Sequence, residues 1–147
     1  MSIAKQLMDS MKEAMKAKQP LRLGVIRQIR SSIKNAEIDK KIVMDDEQII
    51  SVMSTLLKQR RESAQIYRDN DRIDLAEKEE QEIVVLQEFL PQQLSSDEIK
   101  ALVEGVIAEV GATSMKEMGM VMKKVTAQTV GRADGRVVSE LVKSCLG

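Results

Sequence analysis

Only two prolines, Pro20 and Pro91, occur in 147 residues, and the stretches between and beyond them are rich in Ala, Met, Leu, Lys, Glu and Gln. Such side chains lose little rotamer freedom in a helix, and without a proline nothing interrupts the ladder of backbone hydrogen bonds. Strands draw instead on aromatic and β-branched residues. Here Phe89 and Tyr67 are the only aromatics and Trp is absent. The chain is therefore expected to be all-α, with a core of Leu, Ile, Val, Met and Ala.

Periodicity divides it further. Ile3, Leu7, Met11 and Met15, at a spacing of four, predict a first helix from about Ser2 to Lys18. Pro20 suits the first turn of a second helix, because its missing N–H costs nothing there. That helix runs to about Lys41, with Leu23, Ile26, Ile29 and Ile33 on one face and Arg22, Arg27, Arg30 and Lys34 on the others. Asp45 and Gln48 form a capping box for a third helix carrying Ile49, Met53, Leu56, Leu57, Ala64 and Tyr67. Asn70-Asp71 turns the chain into a fourth, with Ala76, Ile83, Leu86, Phe89 and Leu90 inside and Glu77 to Glu82 outside, ending at Pro91. The third and fourth helices are expected to form an antiparallel hairpin.

Pro91-Gln92-Gln93-Leu94 is the best boundary in the chain, separating a four-helix region, 1–90, from a three-helix region, 91–147. Ser95 and Glu98 cap the first helix of the second region, and Ile99, Leu102, Val103, Val106, Ile107 and Val110 line it. Gly111 stops it. Ser114 and Glu117 repeat the capping pattern before a short helix marked by Met115, Met118, Val121, Met122 and Val125. The last helix buries Val137, Val138, Leu141, Val142, Cys145 and Leu146.

The formal charge is zero, which removes any bulk electrostatic argument for nucleic acid. Its distribution is uneven: residues 1–41 hold ten Lys+Arg against four Asp+Glu, and residues 45–90 hold six against twelve. Two readings stay open. The faces meet each other or water, or they are surfaces for something else.

Chemistry is hard to place. The chain has no His, hence no commonest general base or metal ligand and no Ser-His or Cys-His pair. Its single Cys145 falls on an apolar stripe and excludes both a disulfide and the usual zinc sites. The carboxylate run around Glu79-Glu80 is expected on a solvated face. No catalytic residue, metal site or cofactor is expected. No apolar run approaches a bilayer span and no secretory pattern opens the chain, so a soluble, cytosolic protein away from membranes is expected.

Gly131-Arg132-Ala133-Asp134-Gly135 is the most informative segment. It is no dinucleotide or phosphate-loop fingerprint, since no strand precedes it. A glycine-bearing loop that opens into a helix can nonetheless present N–H groups to an anion. Lys116 to Arg136 holds five basic residues against two acidic ones. Lys123, Lys124, Gly131, Arg132, Gly135 and Arg136 are accordingly the candidate RNA-binding residues, with the two lysines expected to end the preceding helix. A plain turn, capped by Asp134, accounts for the same residues. With no aromatic in this half to stack a base, any such contact would go to the phosphates of a structured RNA.

Taken in order, Phe89-Leu90-Pro91-Gln92-Gln93-Leu94-Ser95, Gly111-Ala112, Met118-Gly119-Met120-Val121-Met122 and Gly131-Arg132-Ala133-Asp134-Gly135 resemble the YqeY-like proteins of bacteria. The resemblance covers essentially the whole chain, Arg60-Arg61-Glu62-Ser63 included. It implies an N-terminal helical domain followed by one similar to the tail of the B subunit of the glutamine-dependent Asp/Glu-tRNA amidotransferase. A similar domain is appended to some glutaminyl-tRNA synthetases. That tail is understood to hold tRNA, so the resemblance implies tRNA as ligand and aminoacyl-tRNA synthetases or amidotransferase subunits as partners. Met120 departs from the pattern, standing where Lys is often found. The amidotransferase's catalytic domain has no counterpart here. A non-catalytic, tRNA-associated accessory protein is the leading expectation, and a protein-interaction adaptor without RNA is the alternative. A carbon–nitrogen ligase with glutamine as amido donor would follow from family wording alone.

Overall fold

The computed structural model describes residues 2–147. Among them the regular structure is helical throughout and the chain falls into two compact units, one up to Leu90 and one from Pro91 to Gly147.

The first unit holds α1 (Ile3–Lys16), α2 (Pro20–Lys40), α3 (Asp46–Asp69) and α4 (Ile73–Gln87). Its core is aliphatic, built on Leu7, Ile26, Ile29, Ile49, Met53 and Leu86, with Phe89 at its edge. Side-chain caps set the starts of α1 and α3. Ser2 Oγ accepts from Lys5 N–H, and the Asp45–Gln48 box forms in both directions. Asp46 links two helix starts: its carboxylate lies in the first turn of α3 and accepts Ile3 N–H of α1 at 3.0 Å.

α3 and α4 form the expected hairpin, turned at Asp71, whose φ is +59°. The acidic face of α4 does not simply meet water, as the sequence suggested. Arg60 of α3 is nearly buried, 12% exposed, and its guanidinium binds Glu79 at 3.2 Å, Glu82, and Gln28 of α2. Arg68 grips Glu80 through two parallel hydrogen bonds of 2.7 Å, and Arg22 pairs with Glu88 at 2.6 Å. A planar guanidinium matches a carboxylate fork, so arginines at these positions select a pairing that lysines would not.

Three details depart from expectation. Met15 is 51% exposed and Ala14 takes its place in the core. Each step of four residues rotates about 40° past a full turn, so a strict spacing of four leaves the buried face within three steps. α4 stops at Gln87, and three turn bonds carry Phe89 and Leu90 into the core ahead of Pro91, because the residue before a proline is disfavoured in helical geometry. Tyr67 is half-buried, on the edge of the hairpin.

The second unit contains α5 (Ser96–Val110), a 3-10 turn (Met115–Glu117), α6 (Met118–Thr129) and α7 (Gly135–Leu146). The three α-helices pack pairwise around Val103, Val106, Val121, Val125, Val138 and Val142. Ser95 Oγ caps Glu98 N–H, while Gly111 ends α5 at φ +70°, a left-handed geometry that a side chain would strain. The second capping box does not form. Ser114 makes no cap bond, and Glu117 instead accepts from the N–H and hydroxyl of Thr113 at 3.3 and 3.4 Å. The entry to α6 is a tight 3-10 turn, in which Glu117 N–H donates to the Ser114 carbonyl at 3.1 Å and so is not left for the serine hydroxyl.

Glu80 supplies a prediction. Its carboxyl is held below the ordinary glutamate range, chiefly by the hydrogen bond from Arg68 and then by that residue's charge. A depressed folded-state pKa stabilises the fold above the unfolded-state value, and the contribution is lost as pH falls through the folded one. Carbon-detected NMR titration should place Glu80 below the exposed glutamates, and Arg68→Ala should return it to their range.

Candidate functional site

The candidate basic residues all belong to the second unit, and the structure separates them by role. α6 runs on to Thr129, with Val121, Val125 and Thr129 buried at a spacing of four, so Lys123 and Lys124 lie mid-helix rather than at its end. Thr126 to Thr129 continue it with Thr129 buried, its Oγ1 satisfied by the Val125 carbonyl at 2.9 Å. The lysines thus sit about six residues, or roughly 9 Å of helix rise, before the loop. Lys123 is exposed, roughly 200° around the helix from Val121 and so opposite the core. Lys124 points to the flank and pairs with Glu109 of α5 at 3.1 Å.

The loop is pinned from the other side. Leu94 N–H donates to the Arg132 carbonyl at 2.7 Å, and Gln93 Nε2 donates to the Gly131 carbonyl at 2.6 Å. Arg132 Nε donates to the Gln92 carbonyl at 3.3 Å. Pro91–Leu94 and Gly131–Gly135, which lie some forty residues apart, are therefore one structural element. Gly131 takes φ +74° to make the turn, a geometry suited to glycine. Gly135 has no positive φ and opens α7 as its first residue. Asp134 Oδ1 accepts Arg136 N–H at 2.9 Å, so a carboxylate already occupies the anion-binding end of α7. Arg136 is exposed in the first turn. Of the four cations, Lys123 and Arg136 are exposed and have no ion pair among the described residues, while Lys124 and Arg132 are engaged within the unit.

The model for the Yqey-like protein family matches residues 4–146. The chain belongs to the YqeY-like family. Several curated relatives bear the name altered inheritance of mitochondria protein 41, mitochondrial. That of Vanderwaltozyma polyspora is 32% identical over 95% of this chain and 77% of its own length. That of Lachancea thermotolerans is 32% identical over 95% and 76%. That of Pyrenophora tritici-repentis is 29% identical over 97% and 80%. The expectation of a cytosolic protein is overturned by these relatives, whose names place them in mitochondria. The physical clues behind it, a lone thiol and no apolar span, suit the interior of an organelle equally well. No described helix is long and apolar enough to cross a membrane.

Cys145, expected to be buried by α7, is only half-buried against the core of the YqeY-like C-terminal unit. The basic excess of residues 1–41 gathers in part on a second surface, in the N-terminal unit. Arg27, Arg30 and Lys34 line a cleft whose floor includes Leu7, Met11 and Ile33. Their spacing of three and four along α2 was the available signal.

Asp134 gives a direct test of the loop. Asp134→Ala should destabilise the protein by about 1 kcal/mol, the usual worth of an N-cap, and Asp134→Asn should restore most of it. Urea unfolding of the three proteins measures both.

Proposed function

We propose that this YqeY-like chain is a non-catalytic accessory protein of tRNA metabolism, and that its C-terminal unit rests on the phosphates of a folded tRNA. The observation that carries the reading is the clamp between Pro91–Leu94 and Gly131–Gly135. Two of the motifs that resemble YqeY-like proteins meet there, in one bonded element that leaves Arg136 exposed. Lys123, on the outward face of α6, is the second contact. A rigid helical platform carrying separate cations suits positioning on phosphates, which fix orientation and carry no sequence information. Lys124 and Arg132 contribute less, since binding would cost the pair with Glu109 and the bond to Gln92.

Nothing in the chain equips it for amide transfer. It contains no His, and its only thiol is half-buried on a core stripe. The C-terminal unit balances seven Lys+Arg against seven Asp+Glu over residues 91–147, so affinity would be modest and strongly dependent on salt.

Filter binding of the full chain to a folded tRNA at several salt concentrations tests the reading. Each phosphate contact contributes about 0.9 to the slope of log K against log salt on duplex-like RNA. Lys123→Ala/Arg136→Ala should therefore flatten the slope by roughly 1 to 2 and weaken binding about ten- to hundredfold at low salt. Lys124→Ala should do less than either single change. Superimposable wild-type and double-variant curves would reject this surface, and no saturable binding by the wild type would reject the RNA reading.

A further inference from the structure

The cleft between α1 and α2 lies in the N-terminal unit, over part of its core, and the RNA reading does not use it. It encloses about 650 Å³, within the roughly 300–1,000 Å³ typical of binding clefts. α1 contributes Ala4, Leu7, Met8 and Met11, which repeat at three and four and so form one continuous stripe. Ile33, Val43, Met44 and Ile49 complete an apolar floor and lip. Met8 is 42% exposed and Val43 is 90% exposed, so apolar surface remains open to water at the rim.

The polar rim has one sign. Arg27, Arg30 and Lys34 follow one another at three and four along α2, over roughly 10 Å of helix. Among the described residues, Arg27 and Lys34 have no ion pair, and Arg30 Nη1 points at the weak acceptor Met11 Sδ at 3.0 Å. The one carboxylate in the cleft, Glu37, is engaged by Met44 N–H at 2.8 Å, which holds the chain between α2 and α3 in place.

We infer that this cleft docks an acidic amphipathic helix of a partner protein. Charge complementarity identifies the occupant. Acidic residues at i, i+3 or i+4, and i+7 on the partner would meet Arg27, Arg30 and Lys34. Apolar residues on the adjoining face, at the same repeat, would settle on the open surface of Met8, Met11 and Val43. Methionines at such a floor adapt to varied side chains. A nucleic acid would satisfy the cations and leave the floor bare, with no aromatic ring there to stack a base. The inference is independent of the tRNA reading, since Lys123 and Arg136 lie in the other unit.

The test is a selection by the full chain from a displayed library of 16-residue helical peptides, followed by affinity measurement of enriched peptides by fluorescence anisotropy. Enriched peptides should carry Asp or Glu beside a Leu, Ile or Met stripe. Arg27→Ala/Lys34→Ala should weaken them at least tenfold with an unchanged circular dichroism spectrum and unchanged tRNA binding. Substituting Lys for the peptide's acids should abolish binding. Enrichment of basic or uncharged peptides, no enrichment, or equal binding by the double variant would overturn the proposal. So would failure of every peptide while vesicles of phosphatidylglycerol bind the wild type and not the variant.

Discussion

The guanidinium of Arg60 organises the N-terminal unit. From α3 it reaches Glu79 and Glu82 on α4 and Gln28 on α2, so one side chain ties three helices together. An aliphatic core is non-directional and would tolerate helices sliding or rotating against one another. A nearly buried fork with fixed partners does not. Arg68–Glu80 and Arg22–Glu88 extend the same arrangement along the hairpin and to α2. The acidic excess of residues 45–90 is thereby met partly from within, while among the described residues Arg27 and Lys34 on α2 have no ion pair.

The near-absence of aromatics has consequences beyond the fold. In the C-terminal unit the buried apolar side chains are Val, Ile, Leu and Ala, which makes a core of modest size for residues 91–147. Its loop is correspondingly secured by polar bonds to Pro91–Leu94 rather than by a large ring packed beneath it. In the N-terminal unit, methionines supply surface that can conform to a ligand, as at Met8 and Met11.

Much of this was legible in the sequence. The all-α class, the hairpin turn at Asn70–Asp71, the Asp45–Gln48 box and the Gly111 stop follow from local chemistry, which acts over four or five residues. The YqeY-like motifs were visible for the same reason. What escaped depends on partners distant in sequence. Glu79 and Glu82 read as a solvated run because their partner, Arg60, lies on another helix. Lys124 read as available because Glu109 lies fifteen residues away on α5. The α6 helix was expected to stop before Thr126, although Thr129 continues the buried face of Val121 and Val125. The cleft between α1 and α2 could be seen only when the two helices were set side by side.

The account turns on the claim that carboxylates of α4 are neutralised from within the unit. A double-mutant cycle between Arg60 and Glu82, read by urea unfolding of Arg60→Ala, Glu82→Ala and the double variant, tests it most directly. The account predicts a coupling energy of about 1–2 kcal/mol, the scale of a partly buried, charge-assisted pair. Strictly additive single substitutions would show that the two groups do not depend on each other, and would contradict it.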